Sequence, residues 1–133
     1  MSTELTDLDN FIFQRAVDSM TEHCEVLDAV VVATLDGRML ATQQRGTYPV
    51  ERAAVMGSSL MALGDAIASE LKLGSCEVII SENKEGIVVF NHINEDLALV
   101  SLTQSKSGLG TLLSWAKKTA EETASALRAA RKW

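Results

Sequence analysis

Apolar residues follow a helical spacing at the start of the chain. Between Thr6 and about His23 they recur every four positions and are joined by two neighbours: Leu8, Ile12, Ala16 and Met20, with Phe13 and Val17. This spacing predicts an amphipathic helix with one buried face. Thr6 or Asp7 can cap the helix, and Asp9 three residues after Thr6 gives a weak form of the capping box.

A continuously apolar run then predicts a strand. The segment from Val26 to Leu35 is rich in β-branched residues in its middle, as strands covered on both faces are, so we place it inside the sheet. Asp36-Gly37 comes next, and Arg38 to Thr42 continues as a second strand. Asp-Gly between two such runs is a strong hairpin signal, so the two strands are predicted to be antiparallel neighbours.

Three further strands, separated by short turns, follow in the second half: Cys76 to Ser81, Ile87 to Ile93 and Leu97 to Thr103. Glu77 in the first of them is more typical of an edge strand than of a central one. An open edge that carries Val78 and Ile80 is a template on which another strand can pair. A last helix is predicted from Ser107 or Leu109 toward Arg131.

The stretch from Pro49 to Leu73 predicts a long middle helix with an unusual distribution of charge. Charged residues are confined to its ends, and none occurs between Ala53 and Gly64. A helix on the surface of a small domain normally presents a polar face to solvent. We therefore interpret this helix as covered on two sides, by its own sheet and by the same helix of a second chain. Gly74 is expected to end it in a left-handed conformation.

Either of two apolar stripes of this middle helix could face the sheet. One groups Ala53, Gly57, Leu60, Met61, Gly64, Ala68 and Leu71, flanked by Met56 and Leu63, and the other consists of Val55, Ala62 and Ala66. The helical wheel favours the side from Leu60 to Gly64 for the sheet and the Met56 and Leu63 flank for a second chain. Gly57 and Gly64 would let two helices approach closely. The predicted dimer interface comprises Ala53, Met56, Gly57, Leu60, Leu63 and Gly64, with Val78 and Ile80 of the edge strand.

Composition narrows the range of functions. The 133 residues, 47% of them hydrophobic, suit one globular domain spanning residues 1–133. A net charge of −6 with scattered basic residues argues against a nucleic-acid-binding surface.

The start of the chain is unlike a signal peptide, and no apolar run approaches the length of a membrane span, so we expect a soluble cytoplasmic protein. Cys24 and Cys76 form no CxxC pair and are expected to be reduced, although one long-range disulfide stays open.

The motifs that could carry catalysis are weak. Ser105 to Gly110 lies between a strand and a helix, where a phosphate loop would be, but it lacks GxxxxGK[ST], and Leu113 stands where GxGxxG requires glycine. The simpler interpretation is a helix start capped by Ser107. His23 and His92 are too few to indicate a metal site. No nucleophile motif is present, so the sequence predicts a protein that is not an enzyme and has no metal site.

Two arginines could act on a partner. Arg45 precedes the middle helix and Arg52 lies in its first turn, and either could reach a bound nucleotide as an arginine finger. A solvated loop arginine and an ion pair at the helix start are the simpler interpretation, which we favour.

Two motifs resemble the Roadblock/dynein light-chain family. The first is V-x-x-x-x-L-D-G-x-x-L/I-A, here Val30 to Ala41, and the second is AA-x-x-x-S/G-x-L-x-x-L-G-x-x-I/L-A-x-x-L, here Ala53 to Leu71. The resemblance covers nearly the whole chain and implies an α+β, profilin-like fold in the order αββαβββα. It implies a five-stranded antiparallel sheet, with the middle helix on one face and the two terminal helices on the other.

The same resemblance implies how such a protein works. Family members form dimers in which the middle helices pack together and the third strands, here Cys76 to Ser81, pair across the twofold axis. Prokaryotic members are similar to regulators of small Ras-like GTPases, and they remodel the GTPase without a cofactor or a catalytic arginine. The expected function is therefore a homodimeric, non-enzymatic GTPase regulator. A structural light-chain-like adaptor is the alternative, and a ligand-sensing profilin-like domain is a third, less supported one. The basic end of the chain, through Trp133, matches no family feature.

Overall fold

A five-stranded antiparallel sheet forms the centre of the molecule, with strand order β2-β1-β5-β4-β3. The computed structural model describes residues 5–131, so Lys132 and Trp133 of the basic end lie outside the described residues. The strands are β1 (Ala29–Thr34), β2 (Met39–Gln44), β3 (Val78–Asn83), β4 (Gly86–His92) and β5 (Leu97–Thr103). The helices are α1 (Asp7–His23), α2 (Val50–Glu70) and α3 (Leu109–Ala130), with a 3₁₀ turn at Lys106–Gly108.

Helix α1 begins with the predicted capping box. The Asp9 backbone N–H donates to the Thr6 hydroxyl, and the Thr6 N–H donates to the Asp9 carboxylate, both at 3.1 Å. Asp9 is buried and also accepts from the Arg131 guanidinium at 3.4 Å, which links the start of α1 to the end of α3. The buried face is narrower than predicted, because Leu8 is half exposed; the helix is held mainly by Phe13, Val17 and Met20.

The first two strands form the predicted hairpin. Five of the six residues of β1 are buried, as expected for a strand with a helix layer on each face. Gly37 has φ +95° in the turn, a conformation that glycine adopts without steric cost. The register shifts between Val32, which pairs with Ala41, and Ala33, which pairs with Met39, so Leu40 is an extra residue of β2, as in a β-bulge.

Helix α2 ends differently from the prediction. Pro49 is the residue before its first turn rather than within it, and at the other end the left-handed residue that caps the helix is Lys72, with φ 56°, two positions before the predicted Gly74. The Leu73 N–H donates to the Ala68 carbonyl at 2.8 Å, and the Lys72 N–H donates to the Ser69 carbonyl at 3.1 Å. These two hydrogen bonds form the Schellman pattern. Gly74, with φ +85°, turns the chain afterwards toward β3.

Two hydrophobic layers lie on opposite faces of the sheet. Helices α1 and α3 cover one face, where Phe13, Leu99 and Leu112 are fully buried, and α2 covers the other, where Met61 and Val31 pack. Strand β3 is at the edge and pairs only with β4 within the described chain. The predicted profilin-like arrangement is confirmed, including the placement of β3 at an edge and β1 in the interior.

Candidate interaction surface

One face of α2 is apolar and exposed along most of the helix. Its residues recur at helical spacing, and we call them the free face of α2: Val55, Met56, Ser59, Ala62, Leu63, Ala66 and Ile67. The four large side chains, at positions 55, 56, 63 and 67, are 56%, 65%, 58% and 51% exposed. Arg52 and Glu70 lie on the same side, about one turn beyond either end. Contiguous exposed apolar surface of this kind marks a protein contact site.

The opposite side of α2 lies on the sheet, and two glycines make this possible. A Cβ at Gly57 would lie 3.0 Å from two ring carbons of Phe90, and a Cβ at Gly64 would lie 2.8 Å from Ile79 and 2.9 Å from the Cys76 sulfur. These distances are shorter than ordinary van der Waals contacts. Both glycines therefore allow the helix to approach its own sheet.

The edge strand offers a second exposed region. Val78 and Ile80 are each 41% exposed, whereas Ile79 between them packs under α2. Because side chains alternate along a strand, Val78 and Ile80 lie on the face that carries α1 and α3. The outer backbone edge of β3 has no neighbouring strand in the described chain.

The structure thus divides the predicted interface residues into two groups. Met56, Leu63, Val78 and Ile80 are exposed and available to a partner. The others lie toward the sheet: Gly57 is buried, and Ala53, Leu60 and Gly64 are partly buried. The predicted interface did not include Val55, Ile67, Leu71 and Leu73, which are all more than half exposed. Extending the Met56–Leu63 spacing by four residues reaches Ile67.

Arg45 has a structural position that the sequence did not indicate. Its guanidinium donates to the backbone carbonyls of Cys24, Glu25 and Leu27 at 3.1, 3.0 and 2.6 Å, and to that of Thr21. Carbonyls at a helix end lack hydrogen-bond donors within the helix. The Arg45 guanidinium supplies these donors at the end of α1 and in the turn that follows. A guanidinium held in this way is not free to act as an arginine finger, whereas Arg52 is exposed.

We expect Arg45→Ala to destabilise the fold by about 2 kcal/mol, because hydrogen bonds to a charged donor each contribute about 1.5–3 kcal/mol and water replaces only part of them. Urea unfolding followed by circular dichroism measures the change. Arg15→Ala, at an exposed position of α1, is the matched control and should shift stability by less than about 0.5 kcal/mol. Equal effects of the two substitutions would contradict the proposed role of Arg45.

The histidines lie in two separate environments. The His23 ring stacks on Trp115, with centroids 5.8 Å apart, and His92 Nε2 lies 3.2 Å from an Asp65 carboxylate oxygen. Within residues 5–131, no group of three or more His, Cys, Asp or Glu side chains is arranged to hold a metal ion.

Both cysteines are free thiols, Cys24 buried and Cys76 partly exposed. Burial raises the pKa of the Cys24 thiol. Burial, followed by the negative charge of Asp65, raises the pKa of Cys76. Since the thiolate is the nucleophile, neither environment activates a cysteine for covalent catalysis.

The loop before α3 is a packing feature. Residues 106–108 form a 3₁₀ turn that leads directly into α3, and Ser107 does not cap the helix as predicted; the cap residue is Gly108, without a side-chain hydrogen bond. A Cβ at Gly108 would lie 3.0 Å from Val26. The glycine is therefore explained by close contact with the segment before β1, without a phosphate.

No helix in the described part of the chain is long and apolar enough to cross a membrane.

In sequence comparisons, no family model matches the chain. An uncharacterized protein of Methanocaldococcus jannaschii, MJ1340, is 28% identical over 98 residues, which cover 74% of this chain and 85% of that protein.

The fold defined by these elements is that of the Roadblock/LC7 domain, as the sequence motifs predicted. A Roadblock/LC7 domain from Streptomyces avermitilis superposes with a TM-score of 0.74 at 11% identity, over 86% of this chain and 97% of that domain. Acanthamoeba castellanii profilin IB gives a TM-score of 0.64 at 17% identity, over 85% and 97% of the two chains.

Among particular proteins, MglB of Myxococcus xanthus matches with a TM-score of 0.85 at 12% identity, over 100% of this chain and 98% of that one. A structure described as MglB with tetrameric arrangement gives a TM-score of 0.74 at 20% identity, over 86% and 89% of the chains. At these identities the likeness establishes the Roadblock and profilin-like fold.

Proposed function

We propose that this protein is a non-enzymatic, cytoplasmic homodimer that binds and regulates a small Ras-like GTPase. The free face of α2 carries the first half of this proposal. Four large apolar side chains on this face are mostly exposed, and no charged residue lies on this face between Arg52 and Glu70. Each of these side chains would contribute about 1 kcal/mol on further burial, so a partner helix of the same character is the occupant that suits it.

The charges at the two ends of the free face favour a second copy of the same chain. Arg52 and Glu70 lie on the same side of α2, at opposite ends. In an isologous dimer, a contact between one residue and a second residue of the partner is repeated with the two subunits exchanged. If the two α2 helices pack antiparallel, Arg52 of each subunit faces Glu70 of the other. The helix is therefore complementary to itself both in its apolar centre and in its charged ends.

A charge exchange tests this arrangement directly. Arg52→Glu and Glu70→Arg should each weaken the dimer about threefold to tenfold, since each places like charges opposite one another at both ends of the interface. The double substitution restores complementarity and should return the dimer to near its original affinity, as measured by analytical ultracentrifugation over a dilution series. Additive weakening in the double variant would exclude the antiparallel arrangement.

The second half of the proposal, the GTPase, is supported by the two sequence motifs and by the MglB fold. The resemblance implies regulation without a catalytic residue from this protein, and the engagement of Arg45 by backbone carbonyls fits that expectation. The free face and the β3 edge would be used within the dimer, which leaves the outer surfaces of the assembly for the GTPase.

Nucleotide hydrolysis by the small Ras-like GTPases of the source organism, with and without this protein, tests the regulatory role. We expect faster hydrolysis, or binding that differs between the GTP- and GDP-bound forms. A stable dimer with no nucleotide-dependent binding and no change in rate would instead support the structural adaptor. Arg52→Ala serves as a control for an arginine finger: the proposal expects any rate increase to survive this substitution apart from its effect on dimerisation.

A further inference from the structure

The two edges of the sheet, at β3 and at β2, differ in how their backbone is covered. An edge strand presents N–H and C=O groups with which a strand of another chain can pair. Ile80, in the middle of β3, directs these groups outward, because the His92 N–H donates to Glu77, three positions before Ile80, and the alternation in an antiparallel pair then turns Ile80 away from β4. Within residues 5–131, no side chain hydrogen-bonds to the backbone of Ile80; those that β3 makes lie at its end, at Ser81 and Asn83.

Thr42, in the middle of β2, also directs its backbone groups outward. The Arg45 N–H donates to the Asp28 carbonyl at 2.8 Å, which continues the pairing of β2 with β1. Because the direction of the backbone groups alternates along the strand, those of Arg45 point to β1 and those of Thr42, three positions earlier, point away from it. Here a side chain occupies the edge: Gln14 Nε2 of α1 donates to the Thr42 carbonyl at 3.4 Å.

A carboxylate of α1 holds the Gln14 amide in this position. Gln14 Nε2 donates to Asp18 Oδ1 at 2.9 Å, and Gln43 Nε2 donates to the same oxygen at 3.0 Å. A side-chain amide has two N–H groups, so Gln14 can serve Asp18 with one and Thr42 with the other. We call these four residues, Gln14, Asp18, Thr42 and Gln43, the Gln14 network. It joins α1 to the outer edge of β2.

The two ends of β2 are interrupted by the backbone itself. Leu40 is the extra residue of the bulge, and a bulge disrupts regular pairing and increases the local twist. At the other end, the Tyr48 N–H donates to Gln44 Oε1 at 2.7 Å, so the chain folds back directly after the strand. Thr42 is therefore the centre of a short outward edge, and a strand added there would need the position that Gln14 occupies.

We infer that the Gln14 network prevents the addition of a strand at β2 and so confines pairing between sheets to β3. The consequence for assembly rests on the dimer proposed above. When two chains pair through β3, they form one continuous sheet whose two outer ends are both β2. Since both ends are covered, the dimer is a closed assembly and does not become the repeating unit of a longer one.

Gln14→Ala tests this inference because it removes the amide and leaves the backbone of β2 unchanged. Sedimentation velocity over a dilution series should show association beyond the wild-type mass, with the dissociation constant of this additional step lowered at least about tenfold. Asn10→Ala is the matched control: it removes another exposed amide of α1, one turn earlier and outside the network, and should keep the wild-type mass. Gln43→Ala should have a smaller effect, because Gln14 still binds Asp18.

Hydrogen exchange locates the additional contact. The Thr42 amide should exchange more slowly at high than at low concentration of the Gln14→Ala variant, and at a concentration-independent rate in the wild type. Adding Thr42→Pro to Gln14→Ala removes the outward N–H without removing a hydrogen bond to β1, as proline on an edge strand can. This double variant should return to the wild-type mass.

Leu63→Glu, on the free face of α2, separates this inference from the proposed dimer. In a Leu63→Glu monomer, Gln14→Ala should still cause association, now through β2 alone. A wild-type protein that is already monomeric would contradict the dimer, whereas Gln14→Ala would still be expected to associate.

Three results would overturn the inference, once circular dichroism has established that each variant is folded. The first is a Gln14→Ala variant with the wild-type mass at every concentration. The second is equal association of Asn10→Ala. The third is association of Gln14→Ala without slower exchange at Thr42, because the new contact would then lie elsewhere.

Discussion

Leu63→Glu is expected to convert the proposed dimer into a folded monomer. Leu63 is 58% exposed on the free face of α2, so a glutamate there is solvated in the isolated chain and the fold is retained. In the dimer, the twofold axis places two such carboxylates in the apolar contact. Desolvating an unpaired charge costs several kcal/mol, and we expect the dissociation constant to rise at least about 100-fold.

Light scattering coupled to size-exclusion chromatography measures this change, and circular dichroism confirms that the monomer is folded. Phe11→Glu is the matched control, because Phe11 is 60% exposed on α1, away from α2, and the substitution makes the same chemical change. It should leave the dimer mass unaltered. A wild-type protein that is monomeric at micromolar concentration, or a Leu63→Glu variant that is still dimeric, would refute the assignment of the free face.

Gly57→Val is expected to destabilise the chain itself. The Cβ alone would lie 3.0 Å from two ring carbons of Phe90 and 3.5 Å from a Val100 methyl group, and the two γ-carbons extend further into this contact. Overpacking of a buried site costs about 1–3 kcal/mol or more, of which the better helix propensity of valine returns only a few tenths of a kcal/mol. We expect a net loss of about 2–3 kcal/mol in the free energy of unfolding.

Urea unfolding at several protein concentrations separates this effect from dimerisation. Loss of stability that persists at high dilution belongs to the single chain, whereas a defect confined to the dimer disappears there. Ser59→Val, a substitution on the free face, is the control and should leave the stability of the single chain within about 0.5 kcal/mol. If Gly57→Val instead gave a stable monomer, the glycine would belong to a contact between helices.

These two experiments concern the same helix and distinguish its two sides. The sequence predicted that α2 is covered on two sides, by its own sheet and by a second chain. However, the helical wheel of this segment is apolar nearly all round. Such a helix gives no polar stripe from which its rotation could be determined. The rotation depends on where Phe90 and Ile79 project from strands distant in sequence, so it required the folded structure.

The elements themselves were predictable because their signals are local. Thr6 and Asp9 form the capping box through hydrogen bonds within one turn, and Asp36-Gly37 sets the hairpin through backbone conformation at two adjacent positions. Strand β5 has the bounds that its apolar run predicted, Leu97–Thr103. One departure is local as well: the Schellman hydrogen bonds at the end of α2 place the left-handed cap at Lys72, two positions before Gly74.

The sequence by itself therefore determined the order of elements, the edge position of β3, the likeness to the Roadblock family and the surplus of apolar surface on α2. These follow from periodicity, turn residues and the distribution of charge along the chain. Only the tertiary structure decided which side of α2 is free, that Arg45 binds backbone carbonyls at the end of α1, and that Gly57 and Gly64 lie against the sheet. Each of these depends on residues far apart in sequence, whose distances are fixed only when the sheet and its two helical layers have assembled.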